Sequence, residues 1–367
     1  MVTLAKQIVV IGGGIIGLSS AWKLAEAGHS VTVLEKGKCG DGATTASLGA
    51  LVPYNASRED SLPSKQRHSL WMYPQFVNDL HKLTGIDVGF KQTGRIQLIQ
   101  NEHQRNKMQQ DADIANEKWP FEGAETQKLL NDSELKKLEP EVEGTNFGAL
   151  HCKATATFEP KRMIAALRSA CMKMGVDIRE HSPAVQLITQ QNHVSQVHTA
   201  TGLVSADFVA LAAGAWSKNI LPADHPLQQT GYVAPLKGQA LEVATPHQLI
   251  NHMVRGLGVY LIQVDDKKLL IGGTKEKDAG FDTSTTQKAE DDLLAKAEKL
   301  VPAIAECKVV RQWAGLRPYS EQKAPFIGWD SAFANLYHAT GHAGIGLCLT
   351  PYTCQKVLED IEHASHH

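Results

Sequence analysis

Between residues 7 and 35 the chain sets five features in a fixed order that few folds accept. Gln7 to Ile11 (QIVVI) is a short β-branched run of the kind that forms a buried parallel strand. It passes straight into Gly12-Gly13-Gly14-Ile15-Ile16-Gly17, a G-x-G-x-x-G pattern. A helical pattern comes next, with apolar Leu18, Ala21, Trp22, Leu24 and Ala25. Gly28 stands where that helix should end, and Ser30 to Leu34 reads as a second strand closed by Glu35. Each position has a physical reason. Gly12 permits the tight turn, Gly14 lets backbone approach a pyrophosphate, and Gly17 lets helix and strand pack closely. The helix N-terminus then faces the phosphates. Glu35, 18 residues after Gly17, can accept hydrogen bonds from ribose hydroxyls and would repel a 2′-phosphate. The unit predicts a dinucleotide site that disfavours NADP. By itself it does not separate FAD from NAD.

The segment after Glu35 bears on that choice. Gly37 to Gly49 (GKCGDGATTASLG) is a stretch of small residues suited to backbone lying against a long flat cofactor, where a simple NAD enzyme would continue with helices and strands. Further on, a helix is predicted from Lys161 to Met174, with apolar Met163, Ile164, Ala166, Leu167 and Ala170. Val176-Asp177-Ile178 reads as a short strand, and a hairpin of alternating residues runs to about Val204. Asp207 to Ser217 then reads as a buried strand ending in a small-residue turn at Gly214. A polar helix is expected around 101–117 and another near 287–300. Strands are expected at Gly94 to Ile99, Gln239 to Val243, Gly258 to Ile262 and Leu269 to Ile271. The charge runs at 134–143 and 276–299 read as solvated faces.

Composition narrows the class. The 367 residues carry 37 basic and 39 acidic side chains, a net formal charge of −2, which argues against a general polyphosphate-binding surface. The length suggests two domains, and 43% apolar with 21% charged residues is ordinary for a globular chain. Six cysteines with no C-x-x-C pair fit neither a disulfide scaffold nor a zinc site, so no metal is expected and the chain reads as cytoplasmic. The apolar run after the N-terminus ends in glycines, and Phe208 to Trp216 is far shorter than the ~18–20 residues that span a bilayer.

Taken end to end, the motifs resemble the D-amino-acid oxidase superfamily of flavoproteins, and most closely its bacterial glycine oxidase branch. The resemblance rests on GGGIIG at 12–17, Glu35-Lys36, Thr44-Thr45-Ala46-Ser47-Leu48-Gly49-Ala50-Leu51 and Phe158-Glu159-Pro160. It continues through Leu236-Lys237-Gly238-Gln239, Ile271-Gly272-Gly273-Thr274, Trp313-Ala314-Gly315-Leu316-Arg317-Pro318 and Gly341-His342. It implies an α/β chain in which a Rossmann-like FAD-binding domain (1–85, 150–222 and 320–367) is interleaved with a substrate domain (86–149 and 223–319). The substrate domain would be built on a mixed, largely antiparallel sheet. The resemblance further implies that Ile15, Ile16, Glu35, Lys36, Thr44 and Leu48-Gly49-Ala50 contact FAD, with Thr45 and Gly214 in the same site. A backbone group at Val185 would lie near the adenine. His342, Ala343, Gly344, Ile345, Gly346 and Leu347 would lie beside the isoalloxazine ring, at a helix start whose dipole favours the reduced ring. Relatives that bind flavin covalently carry a cysteine soon after the Arg-Pro pair. Here Tyr319 comes directly after Arg317-Pro318, so the FAD is expected to be non-covalent.

At the substrate end the resemblance makes Arg317 the carboxylate-binding arginine, a role its planar fork suits, and Tyr260 the tyrosine whose hydroxyl assists. One position departs from the pattern. Glycine oxidases carry a Gly-His-x-Arg segment, whereas this chain reads Gly341-His342-Ala343-Gly344, which predicts a wider or less polar pocket. The expected reaction is oxidation of the amine of glycine or a D-amino acid by hydride transfer to flavin N5, giving an imine and then a 2-oxo acid and ammonia. The expected partners are that small amino acid and molecular oxygen or another electron acceptor. No nucleic acid is expected, and a homo-oligomer is compatible with the pattern. Three other readings stay open at this point: a D-amino-acid or imino-acid dehydrogenase with a non-oxygen acceptor, a tRNA-modification flavin domain, and a non-catalytic flavin-binding protein.

Overall fold

A computed structural model of the chain describes residues 5–53, 61–119 and 125–364. Two large sheets organise it. The first has six strands in the order Phe326–Trp329, Leu336–Thr340, Phe208–Leu211, Gln7–Ile11, Ser30–Leu34 and Asp177–Arg179. All its pairings are parallel except that of Phe326–Trp329. Its central strand is buried from Ile8 to Ile11, which explains the unbroken β-branched run. The helix Ile15–Glu26 crosses to the second strand, with Gly14 at its N-cap and Gly28 in a left-handed conformation (φ +96°) just past its end.

The second sheet has eight strands. Its order is Lys308–Tyr319, Ala234–Ala244, Lys268–Gly272, Val259–Asp265, Met253–Gly256, Arg95–Leu98, Ala149–Cys152 and Gln127–Leu130. Its pairings are antiparallel save one, between Met253–Gly256 and Arg95–Leu98. The expected domain limit at residue 150 falls inside the Ala149–Cys152 strand. One face of this sheet packs on the helix Gln287–Leu300 through Leu293, Ala297 and Leu300. The other face packs on Leu48 through Ala240, Met253 and Ile262.

Three elements differ from the sequence reading. The alternating segment after residue 184 is a three-stranded meander, Ala184–Gln190, His193–Thr199 and Gly202–Ser205, rather than a hairpin. Its second turn closes tightly at Gly202 (φ +131°), which hides the extra strand in one alternating pattern. A 23-residue helix, Leu62–Thr84, is absent from the sequence expectations. Its signals are Ser61 as N-cap, Pro63 in the first turn and Gly85 at φ +77°, but Pro74 and scattered polar residues blur the period. The Tyr73 hydroxyl on this helix donates to the Leu347 carbonyl, and the Gly346–Ala364 helix packs against it. Finally, Glu139 within the 134–143 charge run is fully buried. It accepts from the Asn251 and His252 backbone N–H groups and bonds His252 Nδ1 at 2.6 Å. Charge density alone cannot show that a carboxylate is stitched to a distant loop.

Candidate active site

A cavity of about 1140 Å³ opens at the carboxyl ends of the parallel strands, lined there by Ile11, Leu34 and Ala212, and extends to the open face of the eight-stranded sheet. It exceeds the roughly 300–1,000 Å³ of drug-sized sites. This is where an open α/β sheet places a ligand.

One wall is backbone. A Cβ at Gly17 would collide with the Gly12 carbonyl oxygen, and one at Gly12 would collide with the Ala212 carbonyl. A Cβ at Gly14, by contrast, would meet only Thr44 Oγ1, at 3.5 Å, so this position lies open to the cavity. No side chain caps the helix at Gly14, although the Ile15 N–H donates to Thr44 Oγ1 at 3.1 Å. The helix start therefore presents partial positive charge to the cavity. The Glu35 carboxylate is held by the Gly13 N–H at 2.7 Å and the Gly37 N–H at 2.8 Å, leaving lone pairs toward the cavity it lines. Lys36 lies 3.2 Å from the centroid of the Trp216 ring, and burial lowers its pKa against the opposing pull of Glu35.

The sequence-predicted cofactor residues separate into two groups. Gly12, Gly14, Ile15, Ile16, Glu35, Lys36, Thr44, Leu48, Ala50, Gly214, His342, Ala343, Gly344, Ile345, Gly346 and Leu347 line the cavity. Gly17, Thr45 and Gly49 stand behind it: the Thr45 hydroxyl donates to the Gly40 carbonyl at 2.7 Å, and a Cβ at Gly49 would collide with the Phe158 carbonyl. Val185 points outward, 55% exposed, while its neighbours Pro183 and Ala184 line the cavity. The His342 imidazole is buried with Nε2 3.1 Å from Thr353 Oγ1, and burial drops its pKa to about 3. It is neutral at neutral pH.

The other wall is built of side chains from the eight-stranded sheet. Arg317 Nη1 donates to the Thr274 carbonyl at 3.0 Å, and among the described residues no carboxylate pairs with the guanidinium. Glycines make room for it. A Cβ at Gly238 would collide with the guanidinium, and one at Gly273 would come within 3.2 Å of Nη2. Tyr260 faces Gly272 across the strands, and a Cβ there would lie 3.5 Å from Tyr260 Cζ. Arg317 and Tyr260 thus flank the Gly272–Gly273 pair. At Gly344, where the sequence departs from Gly-His-x-Arg, a Cβ would stand 3.8 Å from Arg317 Cδ, so the position borders Arg317 with ordinary room. The Trp313 indole N–H donates to the Ala46 carbonyl at 2.9 Å and ties this sheet to the small-residue loop.

Sequence reasoning missed Arg255, Lys275 and Met253, which also line the cavity. Met253 and Arg255 alternate with buried Val254 along one strand, so period-two patterning was the available signal.

The residues present fit an FAD, since an open glycine cradle, an uncapped helix start and a cavity-lining carboxylate share one cavity with the sheet wall. Among the described residues no helix is long and apolar enough to cross a membrane, and no group of three His, Cys, Asp or Glu could hold a metal ion.

Known proteins agree on the class. Residues 7–359 match the DAO family model, described as FAD dependent oxidoreductase. The glycine oxidase of Pseudomonas putida is 32% identical over 357 residues, covering 96% of this chain and 93% of its own length. That of Pseudomonas aeruginosa is 31% identical over 98% of this chain and 95% of its own. The crystal structure of glycine oxidase from Geobacillus kaustophilus superposes with a TM-score of 0.88 at 26% identity, covering 98% of this chain and 95% of that one. With the Rossmann-like cradle, the glycine-lined cavity and this end-to-end match, the chain belongs to the DAO family of FAD-dependent oxidoreductases.

Proposed function

We propose that the protein oxidises the amine of a small amino acid, glycine or a D-amino acid, with Arg317 binding the α-carboxylate. The observation that carries this reading is a guanidinium with no acidic partner among the described residues, laid into a glycine slot beside Tyr260 on the cavity wall. A carboxylate is the group its fork matches. An FAD held against the glycine cradle would supply the two-electron acceptor for hydride leaving the substrate α-carbon, and water would then convert the imine to a 2-oxo acid and ammonia. The protein's part is placement. Arg317 fixes the carboxylate, the Tyr260 hydroxyl supplies a second donor, and the rigid sheet holds both at one distance from the opposite wall. Neutral, buried His342 is a packing group rather than the base. An amine that arrives unprotonated needs no base from the chain.

Within this reading the six-stranded sheet and its helices (1–85, 153–222 and 320–367) are the cofactor domain. The segments 86–152 and 223–319, which carry the eight-stranded sheet, are the substrate domain, so the limit expected at 150 moves past the Ala149–Cys152 strand. The Gly346–Ala364 helix begins on the cavity and would favour negative charge near its N-terminus. The FAD is held non-covalently. Cys348 reaches the cavity lining, but burial pushes its thiol up to about 12 and Sγ sits 3.6 Å from the Gln66 carbonyl, so little thiolate forms at neutral pH. An acid-precipitated pellet should be colourless while the supernatant keeps the flavin.

The function is tested by anaerobic bleaching of the bound flavin with glycine, sarcosine, D-alanine and D-proline against L-amino-acid controls. Bleaching by members of the first set supports the reading, and bleaching by L-isomers alone contradicts it. Hydrogen peroxide release in air then assigns oxygen as the electron acceptor.

A further inference from the structure

The cavity carries more positive charge than one α-carboxylate requires. Among the described residues its acidic lining is Glu35 and Asp41, both in the loop on the nucleotide side. The eight-stranded sheet and the segment leaving it contribute Arg255, Lys275 and Lys277 besides Arg317. Lys277 lies over the Tyr319 ring, 5.2 Å from its centroid. Arg255 and Lys275 are different. The Arg255 carbonyl accepts from Gln97 Nε2 at 3.4 Å, but neither side chain has a hydrogen-bonding or ionic partner among the described residues.

Register fixes where Arg255 stands. Trp313, Ala240, Gly272, Tyr260 and Arg255 oppose one another in a single row across five strands. Directly opposed residues share a face, and neighbouring strands are about 4.8 Å apart. Arg255 is therefore one strand beyond Tyr260, on the side away from Gly272. The Arg317 guanidinium lies over Gly273 on the near side. Lys275 directly follows Thr274, whose carbonyl orients Arg317. Arg255 is half-buried whereas Lys275 is exposed, and a half-buried, unpaired guanidinium costs free energy that an anionic ligand offsets.

We propose that Arg255 forms a second anion subsite across Tyr260 from Arg317, and that the preferred substrate is an amino acid bearing a second acidic group. Dicarboxylic amines such as iminodiacetate and D-aspartate fit this class better than glycine does. The missing side chain at Gly344 leaves space for the longer molecule. The substrate assignment rests on the amine-oxidation reading, whereas the subsite itself does not.

Two measurements on the holoenzyme test it. In the first, kcat/KM is compared for iminodiacetate, D-aspartate and D-glutamate against glycine, sarcosine and D-alanine, in the natural chain, Arg255→Leu and Arg255→Lys. At least one diacid should exceed the monoacids by about tenfold. In Arg255→Leu the diacid-to-monoacid ratio should fall by about tenfold to a hundredfold, with Arg255→Lys between. In the second, the flavin spectrum of the natural holoenzyme is titrated with succinate and glutarate against acetate and propionate. The dicarboxylates should bind more tightly, and this holds as a test even where a variant does not fold. An unchanged ratio, equal loss for both classes, or loss of FAD on Arg255→Leu overturns the subsite. Tight succinate binding without bleaching by any amine would leave the subsite standing and overturn the amine reading alone.

Discussion

The two walls of the cavity are made in opposite ways. The wall at the carboxyl ends of the parallel strands is shaped by what is missing, because Gly12 and Gly17 have no room for a Cβ and Gly14 leaves its space to the cavity. The wall on the eight-stranded sheet is shaped by what projects, namely Arg317, Tyr260 and Arg255, and its glycines at 238 and 273 exist to seat a guanidinium. Backbone amides and a helix start suit a ligand part common to many enzymes. Projecting side chains suit the part that varies. The division predicts that lesions on one wall remove the cofactor, and lesions on the other remove turnover while the cofactor stays.

The largest effect on cofactor affinity should come from the backbone wall. Gly17→Val forces methyl groups into the Gly12 carbonyl, and overpacking of about 1–3 kcal/mol should lower FAD affinity by about tenfold to a hundredfold. Flavin absorbance after gel filtration, with circular dichroism to check folding, measures it. Gly238→Ala is the counterpart on the other wall. Its Cβ meets the Arg317 guanidinium, so kcat/KM should fall by about tenfold while the FAD-to-protein ratio holds. A parallel loss of flavin would break the division. Tyr260→Phe removes a single hydroxyl and should cost about tenfold or less, chiefly in KM.

A pH effect on stability concerns the seam between the walls. The folded-state pKa of His342 is lowered to about 3 from an unfolded value near 6.5. Its neutral burial therefore stabilises the fold above pH 6.5, and that contribution is lost as pH falls from about 6.5 toward 3. At pH 5 the loss amounts to about 2 kcal/mol, and His342→Asn should flatten the urea-midpoint curve between pH 7 and 5 by that share.

Legibility in the sequence runs along the same divide. Gly12, Gly14, Gly17 and Glu35 can be read because their roles depend on local steric and capping rules that act within thirty residues. Arg317 and Tyr260 emerge only through the resemblance, since an arginine before a proline and a tyrosine on an apolar strand carry no local sign of what they face. Arg255 escapes because its meaning depends on a five-strand register assembled from residues 234–319. Glu139 is misread for the same reason, its partners lying more than a hundred residues away. The Leu62–Thr84 helix is hidden on weaker grounds, with Pro74 interrupting an otherwise capped segment.

Arg317→Ala tests the central claim most directly, by measuring FAD content and anaerobic flavin bleaching by amino acids in the same preparation. Removing one partner of a charge pair costs several kcal/mol, so the bleaching rate at subsaturating substrate should fall by about a hundredfold or more with FAD content unchanged. Equal loss of flavin and of turnover, or full turnover without the guanidinium, would contradict the account.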